Sequence, residues 1–588
     1  MALTAAQVAE QKKQVEELLG SVEQLGFAKA LFYGKVRGDL VFPYPTLPVA
    51  KQQQADEAAA KVRMFARDRI DAVKIDREAM IPDSVVRGLG DLGVLGMTAP
   101  PSVGGLGFNQ QQYLKVMEIL GGHCSSTAVF VNAHHSIGIR ALLLFGTPEQ
   151  QAKWLPDLVA GRKLAAFALT EPEAGSDAGN VQTTAVEDGD GYVLNGLKHY
   201  ITNGGIADVL TVMAKMTGPD GKSRVTAFFV TPDLPGFEVV EARAEKCGIR
   251  GTATGKLRFT NMRVPKANVL GPIGKGLKVA LTVLDFGRTT FGASCTGHAK
   301  ACIEAMVGHA KTRRQFQQTL SEFELVKKKI AFAAAHTFAM EAATAQCARC
   351  IDSGQEDFML ETAILKVFAT EHLWTIVNDC IQIFGGKAYF CDQPYERWMR
   401  DARINQIGEG ANDVLKAFIA VVGCRGPGEY LKTLRDDMIG GRWSFRKIGA
   451  ALGVGTKLVL PWASTPTVPV NSPQLAADAA SFAANVKKFG LELPHVFLRL
   501  KDETKFVQAQ LIHERIADIA IDLYVSACTL SRLDHLLAHP SKDPHADVDA
   551  GRYFLKIAAR RIAANFAALT DHDDADCVRT ADGVLGRR

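Results

Sequence analysis

The chain has 588 residues, enough for about three to four domains of ordinary size, and 47% hydrophobic with 22% charged residues fits a folded globular chain. A net charge of +5 over this length does not point to nucleic acid; it fits an anionic small molecule or an anionic membrane surface. No run reaches about 18 uninterrupted apolar residues, so no membrane-spanning helix is expected.

The start, "MALTAAQVAEQKKQVEELLG", lacks a basic-then-apolar signal and reads as a soluble helix within an N-terminal extension over 1–50. Residues 51–165 carry helical spacing, as in "ADEAAAKVRMFARDRIDAV". The adjacent His134 and His135 of "NAHHS" are weak metal ligands, because neighbours on a helix point to different faces. From 166 to 275 the texture becomes strand, Gly/Asp turn, strand, as in "TTAVEDGDGYVLNG", which predicts an antiparallel β domain.

Helices return over 276–424, including a long amphipathic one closed by Gly385 and Gly386. Cys347 and Cys350 of "CARC" lie in a helical pattern with no second pair nearby, so they read as buried small residues. The eleven cysteines show no framework and read as reduced thiols in a cytosol-like compartment. Glycine and proline break the pattern over 425–479, which reads as a linker, and a last helical block spans 480–588.

Several short stretches carry chemistry. "FALTEPEAGSDAGN" (167–180) offers small hydrogen-bonding residues and glycines, which let backbone amides approach a polar ring or a phosphate. No Gly-x-Gly-x-x-Gly follows a strand, so a Rossmann site is not supported. "KTRRQF" (311–316) places Arg313 and Arg314 in a helical context, where a forked donor could clamp a pyrophosphate. "IQIFGGKAYF" (381–390) has the glycine pair needed where backbone passes something flat. In "RINQIGEGANDVLKAFIA" (403–420), Glu409 stands between two glycines at the mouth of a predicted helix, where a carboxylate can cap or do chemistry.

In their order, "LTEPEAGSD", "HYITNGG", "GIRGTATGKLRFTNMRVPKANVLG", "RRQF", "QIFGG", "PYERWMRDARI" and "GEGAND" resemble the blocks of the acyl-CoA dehydrogenase family over roughly 50–425. "GFAKALFYGKVRGDLVFPYP" before that core and the long C-terminal extension with "ERIADIAIDLYVSACTLSR" resemble its very-long-chain branch, including the complex-I-assembly relative. The fold so implied is mainly α with a central β domain: a helical domain, a β-barrel and a four-helix bundle, followed by an extra C-terminal helical domain.

The resemblance implies FAD as cofactor, a long or very long acyl-CoA as substrate, trans-2-enoyl-CoA as product and an electron-transfer flavoprotein as acceptor. Glu409 matches the family's catalytic base. Removing a weakly acidic α-proton requires preorganised donors for the charge that develops on the thioester oxygen. In the family these are a flavin hydroxyl and the backbone N–H of the base, which flanking glycines leave accessible. Residue by residue, Phe167, Leu169, Thr170, Gly175, Ser176, Tyr200, Ile201 and Thr202 should line the flavin. Arg313 and Gln315 should reach the FAD of a neighbouring subunit, which implies a homodimer; Gln382, Phe384, Gly385 and Gly386 should meet its adenosine end, and Ala411, Asn412 and Asp413 complete the cofactor set. Ser176, Arg288, Gly408 and Gly410 are the substrate candidates, with a structural salt bridge as the alternative for Arg288.

Departures from the family pattern are Ala411 for a threonine, Tyr200 for a tryptophan, Gln317 for a glycine, and Gly408 where relatives carry a bulkier residue. None removes the base, so altered affinity or potential is expected, and Gly408 should widen the pocket. Alternatives to the dehydrogenase are an acyl-CoA oxidase using O₂ and a non-enzymatic assembly scaffold of a membrane complex. The basic segment "GGRWSFRKIGAALGVGTKLVLPW" (440–462) is the expected contact with anionic lipid, its cations being attracted to the surface. The expected location is cytoplasmic, peripheral on the inner face of the membrane, or the mitochondrial matrix in a eukaryote.

Overall fold

A computed structural model describes residues 25–218, 221–439, 464–500, 503–540 and 545–587. Both the helix read at 1–20 and the 440–462 membrane segment lie outside the described residues. The chain divides into a larger unit, Thr46–Ser353 with Phe368–Ala411, and a smaller one, Met1–Pro45, Gly354–Val367 and Asn412–Arg588.

The larger unit begins with helices α1 (Val49–Arg69), α2 (Gln110–His123) and α3 (Ser125–Val131). A reciprocal capping box starts α2: Asn109 Oδ1 accepts the Gln112 N–H at 3.0 Å, and Gln112 Oε1 accepts the Asn109 N–H at 3.1 Å. After α3 the helix widens to a π-helical run, Asn132–Ile139, before α-helix resumes over Arg140–Phe145. Ser125–Phe145 as a whole is long and apolar enough to cross a membrane, yet its most apolar window is 72% buried inside the protein.

Eight strands follow: β1 (Ala165–Ala168), β2 (Thr184–Asp188), β3 (Gly191–Ile201), β4 (Val209–Thr217), β5 (Ser223–Val230), β6 (Phe237–Glu241), β7 (Gly255–Pro265) and β8 (Val269–Leu270). They form one sheet ordered β6-β7-β3-β2-β4-β5-β8, with β1 also on β4. The sheet is mixed, which corrects the antiparallel expectation. β1 covers only the first half of one edge of β4, Ala165 to Ala168 beside Val209 to Val212, in parallel. The loop after it returns the chain as β2, which meets the same edge in parallel at Lys215. Alternation along β4 separates two cores. Leu210, Val212 and Ala214 pack with Phe228, Leu257 and Phe259. Val209 and Met213 pack with Phe167, Phe229 and the helical residues Ile137 and Val283.

Beyond the sheet run α4 (Gly276–Thr312), the two-residue strands β9 (Arg314–Gln315) and β10 (Gln318–Thr319), α5 (Glu324–Asp352) and α6 (Met359–Phe384). Arg313 and Arg314 are therefore not helical, contrary to the sequence reading: α4 ends at Thr312, and Phe316 and Gln317 take left-handed φ values of 49° and 68° to turn a hairpin. Among the described residues no His, Cys, Asp and Glu cluster could hold a metal.

In the smaller unit, α7 (Asn412–Ile439), α8 (Ala476–Leu500), α9 (Gln510–Ala538) and α10 (His545–Ala568) gather with the segment around the short helix Phe27–Leu31. The pattern break read at 425 is a continuation of α7 through Pro427 to Ile439. Its glycines serve close approach: a Cβ on Gly423 would lie 2.1 Å from the Phe32 ring and one on Gly426 1.8 Å from the Tyr33 hydroxyl. Phe32 also meets Phe489 of α8 at 5.1 Å, and Ser531 of α9 donates to the Val41 carbonyl at 2.7 Å. The N-terminal segment and the C-terminal helices thus share one core.

Candidate active site

Glu409 takes a left-handed φ of 55° and Gly410 one of 100°. The second value demands glycine, and the first is a strained conformation of the kind held at functional sites. Gly408 takes no such conformation; its N–H donates to the Ile404 carbonyl at 2.9 Å, and an added Cβ would meet only that oxygen at 3.6 Å. The side chain of Glu409 turns toward the helices. Its Oε1 accepts from Asn132 Nδ2 at 2.8 Å. Oε2 lies over Gly287 of α4, where a Cβ would come within 2.2 Å of it, and Ile137 closes the same spot from the π-helical run.

The π-helical run joins this carboxylate to the sheet. His134 Nδ1 accepts the Ala165 N–H of β1 at 3.0 Å, and its Nε2 donates to the Leu158 carbonyl at 3.0 Å. Burial pushes the His134 imidazole down to about 4, so the ring is neutral and serves as a brace. Ser136 links the Tyr113 hydroxyl, 3.0 Å away on α2, to Thr290 of α4 at 2.9 Å. Arg140 donates to Thr98 at 2.7 Å and stacks over Phe286 at 4.4 Å. A narrow cavity of about 20 Å³, room for one water, opens beside Asn132 among Ser125, Phe291, Ser294 and His298.

A second group of predicted residues forms a ledge along β1 and the end of β3. Phe167 is buried in β1 and Ile201 closes β3, while Leu169, Thr170 and Thr202 are half-buried and Gly175 and Ser176 exposed. The His199 N–H donates to the Thr170 carbonyl at 2.9 Å, and Lys198 Nζ to the Leu169 carbonyl at 3.2 Å, which lays the loop against β3. Tyr200, with φ of 58°, is 65% exposed and stacks on His199 at 3.8 Å. Asn203 then donates to the Phe130 carbonyl at 3.1 Å, two residues before Asn132. Half-buried threonine hydroxyls, an exposed serine and an open glycine beside a largely exposed ring suit the polar edge and face of a flavin.

The third group lies at the ends of α4 and α6. His309 of α4 stacks on Phe384 of α6 at 4.2 Å, and the tilted ring of Tyr395 lies 4.0 Å from Phe384. Around this stack Arg313, Gln315, Gln382, Gly385 and Gly386 are all exposed. Arg288, by contrast, is buried one turn after Asp285 and pairs with it at 2.9 Å. Ala411 is half-buried at the end of the larger unit; Asn412 and Asp413 open α7 of the smaller one, where Asn412 Oδ1 accepts from buried Lys366 at 2.8 Å. The motifs "PYERWMRDARI" and "GIRGTATG" also meet: Asp401 accepts the Ile249 N–H at 2.5 Å, and burial raises its carboxyl to about 6.

Sequence reasoning missed Asn132 and Gly287. Asn132 stands in "NAHHS", noticed only for its histidines, and Gly287 directly precedes Arg288 in "LDFGR".

Residues 52–162, 166–262 and 274–423 match the N-terminal, middle and C-terminal domains described as acyl-CoA dehydrogenase. The chain belongs to the acyl-CoA dehydrogenase family. The resemblance read from its motifs is borne out, and residues 473–584 match the description "ACAD9/ACADV, C-terminal domain". The very long-chain specific acyl-CoA dehydrogenase of mouse mitochondria is 35% identical over 569 residues, covering 93% of this chain and 84% of that protein. Among solved acyl-CoA dehydrogenases, that of Bacillus anthracis, complexed with FAD, superposes with a TM-score of 0.76 at 27% identity over 94% of each chain. Butyryl-CoA dehydrogenase of Megasphaera elsdenii is 33% identical with a TM-score of 0.60, covering 63% of this chain and 97% of its own. The expected architecture, helices around a central sheet domain with an added C-terminal helical region, is that of the family.

Proposed function

We propose that this acyl-CoA dehydrogenase oxidises long or very long acyl-CoA thioesters to trans-2-enoyl-CoA in fatty acid β-oxidation, with Glu409 as the base and an electron-transfer flavoprotein as final acceptor. The observation that carries the reading is the Glu409 carboxylate, aimed inward between Asn132 and Gly287 on a strained backbone. When bound, FAD supplies the hydride acceptor. The ledge of Thr170, Gly175, Ser176, Tyr200 and Thr202 holds its ring system, with Phe167, Leu169 and Ile201 behind it. Arg313 and Gln315 reach the diphosphate of the FAD in a second copy of the chain, and Gln382, Phe384, Gly385 and Gly386 its adenosine end. Ala411, Asn412 and Asp413 complete the cofactor set.

Glu409 would take the α-proton of the thioester, its own backbone N–H would donate to the charge that develops on the thioester oxygen, and bound FAD would supply a hydroxyl as the second donor. Ser176, Gly408 and Gly410 border the substrate. Arg288 serves its CoA arm from within the Asp285 pair. The C-terminal match and the very-long-chain relatives support a long acyl chain, and the basic 440–462 segment supports a peripheral contact with anionic lipid. The location that follows is the inner face of a membrane, or the mitochondrial matrix in a eukaryote.

Anaerobic bleaching of the flavin by acyl-CoAs from short to very long tests the activity. Glu409→Gln should keep FAD and bind acyl-CoA yet bleach at least about 1000-fold more slowly. Near-parental bleaching in that variant removes Glu409 as the base. One peroxide per turnover in air, with no gain from the flavoprotein acceptor, makes the enzyme an oxidase instead.

A further inference from the structure

Asn132 is the first residue of the π-helical run and is 4% exposed. A carboxylate only accepts hydrogen bonds, so its contact with Glu409 Oε1 at 2.8 Å must come from the amide nitrogen, which fixes the orientation of the side chain. The other end, Oδ1, is buried and accepts from no protein group among the described residues, and Asn132 borders the small cavity that His298 also lines. The hydrogen bond that the Asn132 side chain makes to the protein, among the described residues, is therefore the one to Glu409.

We propose that Asn132 is a positioning residue: its amide clamps the Glu409 carboxylate against Gly287 and holds it ionised in a buried place. The inference rests on Glu409 being the base. The anchorage is rigid, since Phe130 accepts from Asn203 and His134 braces β1 on either side of Asn132. Charge-assisted donation favours the ionised form of a carboxylate, whereas burial favours the neutral one. Without the amide, more of the base would carry a proton at a given pH, and Oε2 would lose its fixed place. Of the titratable groups, Tyr113 on α2 interacts electrostatically with this carboxylate; the paired Asp285 and Arg288 flank Gly287 along α4, and His135 and Arg140 follow Asn132 along its own helix. Substitutions at Asn132 leave them all in place.

The test uses flavin-loaded Asn132→Leu and Asn132→Asp. Leucine is near in shape and apolar in a buried position, so it should fold; aspartate is isosteric. Two titrations are followed: the bleaching rate with acyl-CoA against pH, and, without substrate, the infrared band of the protonated Glu409 carboxyl, assigned by its loss in Glu409→Gln. The expected result is a rise of the midpoint by about one pH unit in Asn132→Leu, and a larger rise in Asn132→Asp, where two facing carboxylates share a proton. KM should move less than about twofold while kcat falls below the new midpoint. Unchanged midpoints in both variants overturn the proposal, and so does a shift in the aspartate variant alone. Because the infrared titration needs no turnover, it separates failure of this inference from failure of Glu409 as the base.

Discussion

Lys198 of β3 buries its ammonium on Glu171, with Nζ 2.6 Å from Oε1 and side chains 0% and 2% exposed. Glu171 also accepts the Thr183 N–H at 3.1 Å and the Gln182 N–H, so one carboxylate ties β3 to both ends of the loop that carries Gly175 and Ser176. Burial alone would raise this carboxyl; the Lys198 charge and the hydrogen bonds from Lys198, Thr183 and Gln182 outweigh it and hold it below the usual range. Lys198→Met removes the countercharge and leaves the carboxylate buried. It should lower stability by roughly 3–5 kcal/mol and release FAD more readily. Urea unfolding and flavin fluorescence measure both, and a loss under about 1 kcal/mol would mean that the pair is dispensable.

Gly287→Ala ought to stabilise an ordinary helix interior by about 1 kcal/mol. Here the new methyl would meet Glu409 Oε2 at 2.2 Å and must displace it. The expectation is a folded, flavin-loaded protein that bleaches about 100-fold more slowly, the order of loss for a base moved by an ångström. Stopped-flow bleaching decides it; a parental rate would show that the carboxylate does its work elsewhere.

Arg313 is exposed, just past the end of α4, and free to act on another molecule. Arg313→Ala should lower flavin content after dialysis, and the parent should run as a dimer or larger species in sedimentation velocity. A parent that is a fully flavinated monomer contradicts the assignment.

Glu361, on the part of α6 that belongs to the smaller unit, accepts the Ala28 N–H at 2.9 Å. Burial pushes its carboxyl up to about 7, with Asp357 adding to the rise and Lys29 opposing it. The folded value exceeds the unfolded one of about 4.3. Its contribution is therefore complete below that pH and lost as pH rises through about 7. Thermal stability of the parent should fall as pH rises through this window, by a few kcal/mol at most. Glu361→Gln keeps the acceptor, removes the charge and should flatten the slope; equal slopes would exclude Glu361 as the source.

Much of this was legible before the fold was known. Helical spacing and the period-two strands separate the blocks because each element buries one face, and "GEGAND" pointed to Glu409 through the family order of the motifs. Other features were not legible, for definable reasons. Gly423 and Gly426 look like helix breakers until Phe32 and Tyr33 are seen against them. Arg313 follows a long helix without an obvious stop, and only the left-handed turn at Phe316 and Gln317 reveals the hairpin. Asn132 meets a residue 277 positions later, a distance over which one sequence carries no pairing signal. A π-helical turn leaves no mark in composition.

Within eight residues of that turn, Asn132 meets Glu409, His134 meets Ala165, Ser136 meets Thr290 and Ile137 meets Gly287. An α-helix advances about 100° per residue, and a π turn is wider. Removing or adding a residue between Asn132 and Arg140 would swing everything after it by about that angle relative to everything before. Side chains here can be exchanged singly, each at the cost of one contact, but an insertion or deletion breaks several together. In this stretch the count of residues is under tighter constraint than their identity.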